Sequence, residues 1–334
     1  MKNLGNTNMK IKQVGFGGIP IQRITQEDTN KVIDELINQG INFIDTARGY
    51  TVSEEYIGNA LEGRRDKFYI ATKSMSRSYE EMKKDIDISL KMLKTDYIDL
   101  YQIHNLKVEE YSTIFDEDKA YRALVEAKEE GKIKNIGITS HSLETIGKAV
   151  EEEKFSTIQF PYNIVEDQAD EVFKKAHEKG IGIIIMKPLA GGAIDDGPLA
   201  IKYILSKEYI DIAIPGMNTV DQVKENVSVI GNISLTEEDN LKIEKIRKDL
   251  SGNFCRRCEY CLQCPKNVNI PQNFLLEGYY TRYNLKEWAL KRYESMGDAK
   301  ASECVECGIC EEKCPYNLPI RKMLKNVCDK LEKK

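Results

Sequence analysis

Cysteine is missing from most of this sequence. The chain has 334 residues and nine cysteines, yet none of the nine occurs in the first 250 positions. Eight of them lie in two short stretches, CRRCEYCLQCP at 255–265 and CVECGICEEKCP at 304–315. A disulfide framework for the larger part of the chain is thereby excluded. The distribution indicates a cysteine-rich module that follows a cysteine-free body.

Long apolar runs and a strong net charge are missing as well. The longest apolar runs, such as IGIIIM at 181–186, are far shorter than the ~20 residues that a membrane-spanning helix needs. The stretch MKNLGNTNMK has no apolar segment typical of a signal peptide. The net charge of −5 gives no electrostatic reason to expect nucleic acid or a membrane as partner. We therefore expect a cytoplasmic protein, in whose reducing compartment dense cysteines indicate metal ligands rather than disulfides.

Short β-type runs alternate with longer stretches of helical period along the cysteine-free part. Eight such runs occur, at 12–18, 42–45, 68–73, 97–104, 135–139, 157–160, 182–186 and 212–215. Strands separated by helices pair in parallel, and eight units of this kind predict a closed (β/α)₈ barrel.

A doubly wound open sheet is the alternative architecture. It is less favoured because no complete glycine-rich dinucleotide turn follows the first strand, where GFGG at 15–18 lacks the third glycine. A last predicted helix at 236–250 would end the barrel domain. We therefore predict two domains, 1–250 and 251–334.

Polar side chains stand at the ends of three successive predicted strands. Asp45, Lys73 and His104 end these strands, and Tyr50 follows Asp45 in the loop to the next helix. Because chemistry in such barrels takes place at the carboxyl ends of the strands, the four would face one mouth. Tyr50 could donate a proton to a carbonyl oxygen, and an adjacent Lys73 ammonium would lower its pKa from the ordinary value near ~10. Asp45 would hold Lys73, and His104 could donate a hydrogen bond to the same oxygen.

Each of these four residues also has an ordinary explanation. Asp45 could cap a helix, and Tyr50 could be one more of seventeen tyrosines. Lys73 could be a solvated strand end, and His104 a hydrogen-bonded core residue. Their joint occurrence at three successive strand ends favours a catalytic site.

The two cysteine stretches form a quasi-repeat with the spacing of iron–sulfur ligands. The first reads C-x₂-C-x₂-C-x₂-C-P and the second C-x₂-C-x₂-C-x₃-C-P, the spacing of a bacterial [4Fe–4S] site. In two-cluster ferredoxins the fourth cysteine of each run binds the other cluster. That pattern predicts two clusters, whose ligand sets are Cys255, Cys258, Cys261 and Cys314, and Cys304, Cys307, Cys310 and Cys264.

Structural zinc is the alternative for these cysteines, because it also uses paired C-x₂-C spacing. Runs of three cysteines that end in Cys-Pro favour iron–sulfur clusters. The x₂ gap before Cys264 departs from the usual x₃ of the two-cluster pattern. The ninth cysteine, Cys328, is interpreted as an ordinary residue of an apolar face.

Five motifs in order resemble the aldo-keto reductase superfamily, over residues 4 to 250. They are FIDTARGYTVSEEYIGNAL, IATKS, DLYQIH, PYN and IPGM…VKEN. With its tail, the chain is similar to the subgroup of that superfamily that carries a C-terminal ferredoxin-like extension. The resemblance implies a (β/α)₈ TIM barrel followed by a small, mainly α-helical ferredoxin-like domain. It also implies hydride transfer between NADPH or NADH and a small carbonyl or alcohol substrate, with Asp45, Tyr50, Lys73 and His104 as catalytic tetrad.

The resemblance also implies positions around the nicotinamide. Gln159 matches the family's carboxamide-binding glutamine, and Thr139 and Ser140 occupy the place of its usual Ser-Asn pair. Met186 stands where many members stack a tyrosine on the nicotinamide ring. The pyrophosphate would be approached by the segment PLAGG, through Pro188, Leu189 and Gly191.

The adenosine end of the nucleotide falls on the segment IPGMNTVDQVKEN. Gly216 and Gln222 occupy positions where NADPH-preferring members often carry Lys and Arg, and Glu225 and Asn226 match the adenine-side pair. Lys224 is the only nearby basic residue. Because a 2′-phosphate is bound best by cations, we expect no strong preference for NADPH over NADH.

Two functions are compatible with these features. The first is a nicotinamide-dependent oxidoreductase whose two [4Fe–4S] clusters carry electrons, with a redox partner protein as a further partner. The second is a nucleotide-binding redox sensor or electron-transfer module with little turnover. The intact tetrad favours the first, while the loops that select the substrate do not name it.

Overall fold

A computed structural model of the chain describes residues 1–250, 254–257, 260–262, 264–282, 285–314 and 316–332. The chain divides into two compact units, Met1–Leu189 with Asp196–Leu235, and Ala190–Asp195 with Thr236–Lys334. By this division the helix Glu237–Leu250 belongs to the second unit, whereas the predicted domain boundary lies after it, at residue 250. That boundary stays a prediction. Among the described residues, no helix is long and apolar enough to cross a membrane.

The first unit is built on a parallel sheet. An antiparallel hairpin precedes the sheet and is formed by β1 (Lys2–Asn3) and β2 (Lys10–Ile11). The strands of the sheet are β3 (Phe16–Gly17), β4 (Phe43–Asp45), β5 (Tyr69–Ser74), β6 (Ile98–Ile103), β7 (Ile133–Thr139), β8 (Thr157–Pro161), β9 (Gly182–Met186) and β10 (Ile212–Ala213). Strands β3 to β10 follow one another in chain order, each parallel to the next. The sheet closes where the backbone N–H groups of Gly15 and Gly17 donate to the carbonyls of Ala213 and Pro215. The predicted (β/α)₈ barrel is confirmed, and the open sheet is not formed.

Gly17 lies at the seam of the barrel, where β3 meets β10. There is a steric reason why this position has no side chain. A Cβ at this position would lie 2.7 Å from the carbonyl oxygen of Ile214 and 3.1 Å from that of Pro215. Both are backbone atoms of the facing segment, so the two sides of the seam would have to separate. The glycine in GFGG therefore serves barrel closure.

Eight helices alternate with the strands of the barrel. They are α1 (Gln26–Asn38), α2 (Ser53–Ala60), α3 (Tyr79–Met92), α4 (Ala120–Glu129), α5 (Leu143–Glu152), α6 (Asp170–Glu178), α7 (Gly197–Leu205) and α8 (Val220–Val227). Side-chain caps begin two of them: the hydroxyl of Thr25 accepts from the N–H of Asp28 at 3.1 Å, and the hydroxyl of Ser78 accepts from the N–H of Glu81 at 3.4 Å.

The end of the barrel at the amino ends of its strands is filled by apolar side chains. Buried residues from five strands pack there with three from the β1–β2 hairpin: Phe43, Ala71, Leu100, Ile184, Ile212, Leu4, Met9 and Ile11. The hairpin is tied down by the N–H of Asn6, which donates to the Gly180 carbonyl at 2.7 Å, and by Lys2, which pairs with Asp211 at 3.3 Å. This end of the barrel is therefore closed. The sequence does not predict the hairpin, because strands of two residues show no alternation.

The second unit is helical in its described residues. Its helices are α9 (Glu237–Leu250), α10 (Ile270–Thr281), α11 (Lys286–Glu294), α12 (Ile309–Glu312) and α13 (Ile320–Leu331). Buried Leu276 on α10 and Leu324 and Val327 on α13 share one apolar core, to which several cysteines belong. The ring of Trp288 packs edge-on against Tyr279, with 5.0 Å between centroids. The predicted small helical module is confirmed.

Candidate active site

A polar layer lies above the apolar layer of the barrel. Alternate residues of a strand face the same side, so the residue two positions after an inward apolar residue also points inward. Asp45, Lys73 and Gln102 stand in this position on β4, β5 and β6, and all three are buried.

Asp45 and Lys73 form a buried ion pair. The Lys73 Nζ donates to the Asp45 Oδ2 at 2.5 Å and to the Thr46 carbonyl at 2.8 Å. Burial raises the pKa of the Asp45 carboxyl and lowers the pKa of the Lys73 ammonium, while the contact between the two groups opposes both changes. The pair is further fixed by Gln102, whose Nε2 donates to the Asp45 Oδ1 at 3.1 Å. Gln102 is not among the predicted residues, although in DLYQIH it stands two positions before His104 and thus on the same face.

Tyr50 and His104 lie close to this pair. The Lys73 Nζ is 5.0 Å from the centroid of the Tyr50 ring, and that ring meets the His104 ring edge-on with 6.0 Å between centroids. The structure thus brings together all four side chains predicted as a tetrad. The Nδ1 of His104 is buried, and no described residue is hydrogen-bonded to it. Burial, with Lys73, Arg77 and Lys187 as cationic neighbours, holds the pKa of His104 well below its ordinary value, so the ring is neutral at pH 7.

The backbone after β6 is held by a residue that the motifs do not indicate. The guanidinium Nη2 of Arg77 donates to the carbonyls of His104 and Asn105 at 3.0 and 3.1 Å. Asn105 adopts φ +50°, a left-handed conformation that asparagine tolerates better than most residues. Arg77 lies in the loop after β5, where sequence spacing gives no sign of this role.

Gln159 on β8 presents a buried acceptor. Its side chain is 1% exposed, it interacts with the Asp45 carboxyl, and its Oε1 has no hydrogen-bond partner among the described residues. A buried acceptor without a donor costs free energy, and a ligand N–H at this place would remove that cost. The amide of a nicotinamide carboxamide has the required donor, so this residue fits the group.

Thr139 and Ser140 are buried, and their hydroxyls contact backbone. The Thr139 Oγ1 accepts from the N–H of Asn105 at 2.7 Å, and the Ser140 Oγ donates to the Leu106 carbonyl at 2.7 Å. Both residues therefore hold the loop that carries His104.

The predicted pyrophosphate segment follows β9. Met186 ends that strand and is partly exposed, Pro188 is buried, and Leu189 is partly exposed. The backbone of Lys187 has φ +55°, and its carbonyl accepts from the Asn163 Nδ2 at 3.1 Å. Gly191 belongs to the second unit and has φ +69°, a conformation that glycine adopts at little cost.

The predicted adenosine positions lie around the start of α8. Gly216 is exposed, and a Cβ there would lie 2.8 Å from the Pro20 Cγ. Gln222 is exposed, with its Oε1 accepting from the N–H of Asn218 at 2.8 Å. Of the remaining two, Glu225 is exposed and Asn226 is buried.

The cysteines of the second unit divide between two cavities. Cys255, Cys261 and Cys314 line the first, together with Phe274 and Tyr316. The second cavity is lined by the other four described cysteines of the motifs, Cys264, Cys304, Cys307 and Cys310. Cys258 lies outside the described residues. This division supports the crossed ligand sets, since Cys264 lies with the first three cysteines of the second run, and Cys314 lies with Cys255 and Cys261 of the first run.

Within the described part of the chain, no three His, Cys, Asp or Glu side chains converge on a point that could hold a single metal ion. The four cysteines of a [4Fe–4S] cluster bind four different irons, so they surround a volume. The cysteine-lined cavities have that character. Cys328 is partly buried on α13 and packs against the apolar core of the module.

Two sequence profiles of known families match the chain. The Aldo/keto reductase family matches residues 13–198, which is more than half of the 334 residues. A 4Fe-4S dicluster domain matches residues 254–319, the region of both cysteine stretches.

Individual proteins agree with these matches. L-galactose dehydrogenase of Arabidopsis thaliana is 27% identical over 297 residues, which cover 74% of this chain and 92% of that protein. The uncharacterized oxidoreductase YqkF of Bacillus subtilis (strain 168) is 25% identical, covering 71% of this chain and 93% of that protein. Among solved structures, the holo form of aldo-keto reductase AKR11C1 from Bacillus halodurans superposes with a TM-score of 0.65 at 26% identity, covering 73% of this chain and 95% of that one. A barrel with these relatives, followed by a dicluster domain, places the chain in the aldo/keto reductase family as an oxidoreductase that carries an iron–sulfur module.

Proposed function

We propose that this chain is an NAD(P)H-dependent oxidoreductase that transfers hydride between a nicotinamide and a carbonyl or alcohol substrate, with Tyr50 as general acid. The observation that carries the proposal is the buried Asp45–Lys73 pair, whose ammonium lies 5.0 Å from the centroid of the Tyr50 ring. The bound nicotinamide supplies or accepts the hydride, as in the family at large. The chain's own residues have to move the proton and orient the reactants.

Each member of the tetrad has a separate role in this proposal. When Tyr50 gives its proton to the substrate oxygen, the Lys73 ammonium stabilises the charge left on the phenol oxygen. Asp45 accepts from Lys73 and Gln102 and thereby keeps the ammonium in place. The neutral His104 ring carries one N–H, which can donate to the same substrate oxygen.

The nucleotide would be held by residues of several strand ends. We propose that the Gln159 Oε1 accepts from the carboxamide and that the Met186 thioether packs on the ring. Thr139 and Ser140, at the end of β7, would support this place by holding the loop after β6. The phosphates and adenosine would be bound by Pro188, Leu189, Gly216, Gln222, Glu225 and Asn226.

We further propose that the second unit binds two [4Fe–4S] clusters. One would be held by Cys255, Cys258, Cys261 and Cys314, the other by Cys304, Cys307, Cys310 and Cys264. The two cysteine-lined cavities support these sets. A nicotinamide releases two electrons together, whereas a cluster accepts one at a time. Electrons would therefore pass between the nicotinamide and the clusters through a redox partner protein or a substrate with a stable one-electron state.

Replacing Tyr50 with phenylalanine tests the general acid. The ring is kept and the hydroxyl is lost, so NADH- or NADPH-driven carbonyl reduction should fall by at least about 10²-fold, the lower range for general acid catalysis. Nucleotide affinity, measured by fluorescence titration, should stay unchanged. Tyr97→Phe removes a hydroxyl from a more exposed tyrosine and is the matched control, with wild-type turnover expected.

Near wild-type turnover of Tyr50→Phe would show that Tyr50 is not the acid. A wild-type protein that binds nucleotide but reduces no member of a broad carbonyl panel would favour the sensor or electron-transfer function instead.

A further inference from the structure

Next to the tetrad lies a network of charged and hydroxyl side chains to which the motifs assign no role. Its centre is Glu54 at the start of α2, whose side chain is 1% exposed. The Glu54 Oε1 accepts from the Thr72 Oγ1 at 2.7 Å and from the Ser89 Oγ at 2.8 Å. Its Oε2 accepts from the guanidinium Nη1 of Arg48. A buried carboxylate is costly unless it is paired and hydrogen-bonded, and this one has three donors.

Arg48 lies in the loop between Asp45 and Tyr50. Its backbone N–H donates to the carbonyl of Lys73 at 3.0 Å, so the loop continues the pairing between β4 and β5. Its guanidinium pairs with Glu54 and lies 3.7 Å from the carboxylate of Asp85. The backbone of Arg48 therefore contacts the end of β5, which carries the Lys73 ammonium. Its side chain contacts the helices α2 and α3.

Asp85 extends the network to the end of β5. Its Oδ2 accepts from the hydroxyls of Ser74 and Ser76, the latter at 2.7 Å. Ser74 directly follows Lys73, and Thr72, which donates to Glu54, directly precedes it. The strand end that presents Lys73 is thus held on both sides by carboxylates that face Arg48.

We propose that Arg48 is a positioning residue, which with Glu54 and Asp85 fixes the loop bearing Tyr50 against the end of β5 that bears Lys73. This inference rests on the proposed function, since it assigns Arg48 a role in setting the distance between the Tyr50 hydroxyl and the ammonium. Glu54 also acts on Lys73 through charge. Burial lowers the pKa of the Lys73 ammonium, and Asp45 and Glu54 both oppose that change.

The barrel provides a matched control pair at its opposite end. Arg65 pairs with Asp99 at 2.6 Å, and Asp99 also accepts from the N–H of Ile70 at 2.9 Å. This pair too joins an arginine of a loop to the strands β5 and β6, with both side chains largely buried. It lies at the amino ends of the strands, away from the tetrad, so its loss should affect stability without affecting Tyr50.

The test compares Arg48→Gln, Arg48→Lys, Glu54→Gln and Arg65→Gln in the full-length protein. For Arg48→Gln and Glu54→Gln we expect kcat to fall at least tenfold, with less than a threefold change in KM and in nucleotide affinity. Arg48→Lys keeps the charge and should recover part of the loss. Arg65→Gln should lower the melting temperature about as much as Arg48→Gln does, while its kcat stays within twofold of wild type.

Hydrogen exchange gives a readout that needs no turnover. Peptides covering residues 46–56 should exchange at least tenfold faster in Arg48→Gln, and not in Arg65→Gln. Wild-type kcat and wild-type exchange in Arg48→Gln would overturn the inference, as would an equal loss of kcat in Arg65→Gln. If Tyr50→Phe keeps full activity, the proposed function fails, and the exchange data alone then decide whether Arg48 positions the loop.

Discussion

We propose that nucleotide preference depends most directly on two positions, Gly216 and Gln222. Neither carries a positive charge, and a side chain at Gly216 would contact Pro20. Gln222 is exposed, and its amide oxygen caps the N–H of Asn218. A 2′-phosphate therefore finds no arginine or lysine at these two positions. The expected result is similar affinity for NADH and NADPH.

Replacing Gln222 with arginine should create a preference for NADPH. A charged hydrogen bond contributes about 1.5–3 kcal/mol, but this position is exposed, so we expect a gain near the lower end, about tenfold in affinity (1.36 kcal/mol per decade). Dissociation constants for both nucleotides measure the effect. NADH lacks the phosphate and serves as internal control. Wild-type protein that binds NADPH a hundredfold more tightly than NADH would contradict the starting assumption.

Residue type and spacing indicate the tetrad, but they do not indicate the side chains that support it. Asp45, Lys73 and His104 stand out because each is a polar residue at the end of a predicted strand. Gln102 could be found by the same alternation. Arg77 and Arg48 could not, because a loop arginine that contacts backbone carbonyls or a distant carboxylate leaves no periodic signal. Their roles depend on which loops the barrel brings together.

The barrel closes between its first strand, β3, and its last strand, β10. The two strands are short, at two residues each, and the seam between them depends on close backbone approach at Gly17. The run KQVGFGG at 12–18 predicts a strand here, yet only Phe16–Gly17 forms regular pairing with β4. The order of the elements was predictable from alternating periods. The seam was not predictable, because it depends on where the last strand, β10, meets the first strand of the barrel, β3.

Substituting alanine at Gly17 should destabilise the barrel. The added Cβ would lie 2.7 Å from a backbone oxygen, and overpacking of this kind typically costs about 1–3 kcal/mol. Gly147 in α5 offers a matched control, because nothing lies within 4 Å of a Cβ built there. Gly147→Ala should stabilise by about 0.5–1 kcal/mol through helix propensity. Denaturation followed by circular dichroism measures both, and a neutral Gly17→Ala would show that the seam is not tight.

The whole molecule joins a barrel and a cysteine-rich helical module that use different chemistry. Cysteine is confined to the second, where the described motif cysteines line two cavities. The clustering along the sequence already predicts this module. The division of the chain into units also groups the helix α9 with this module, which the sequence does not predict, since the amphipathic pattern of a helix does not tell to which of two units it belongs.

Iron content tests the module as a whole. Anaerobically prepared protein should hold about eight irons per chain, as in other two-cluster proteins. Cys261→Ser and Cys310→Ser each remove one proposed ligand from a different cluster, so each should lower the content by about four irons. Cys328→Ser is the control and should keep all of them. Zinc in place of iron, or a loss of iron in Cys328→Ser, would refute the assignment.

The hairpin that closes the amino end of the barrel links distant parts of the chain. The N–H of Gly5 donates to Asp211, 206 residues further along. At about 5–20 residues per second, roughly 10–40 s of translation separate the two. During that time Leu4, Met9 and Ile11 have no strands β9 and β10 to cover them, although in the finished barrel they are almost fully buried. The closed amino end of the barrel therefore cannot assemble before β9 and β10 have been made. If translation stalls before β10, we expect an unclosed barrel whose hairpin leaves these apolar side chains exposed, as a surface that chaperones can bind.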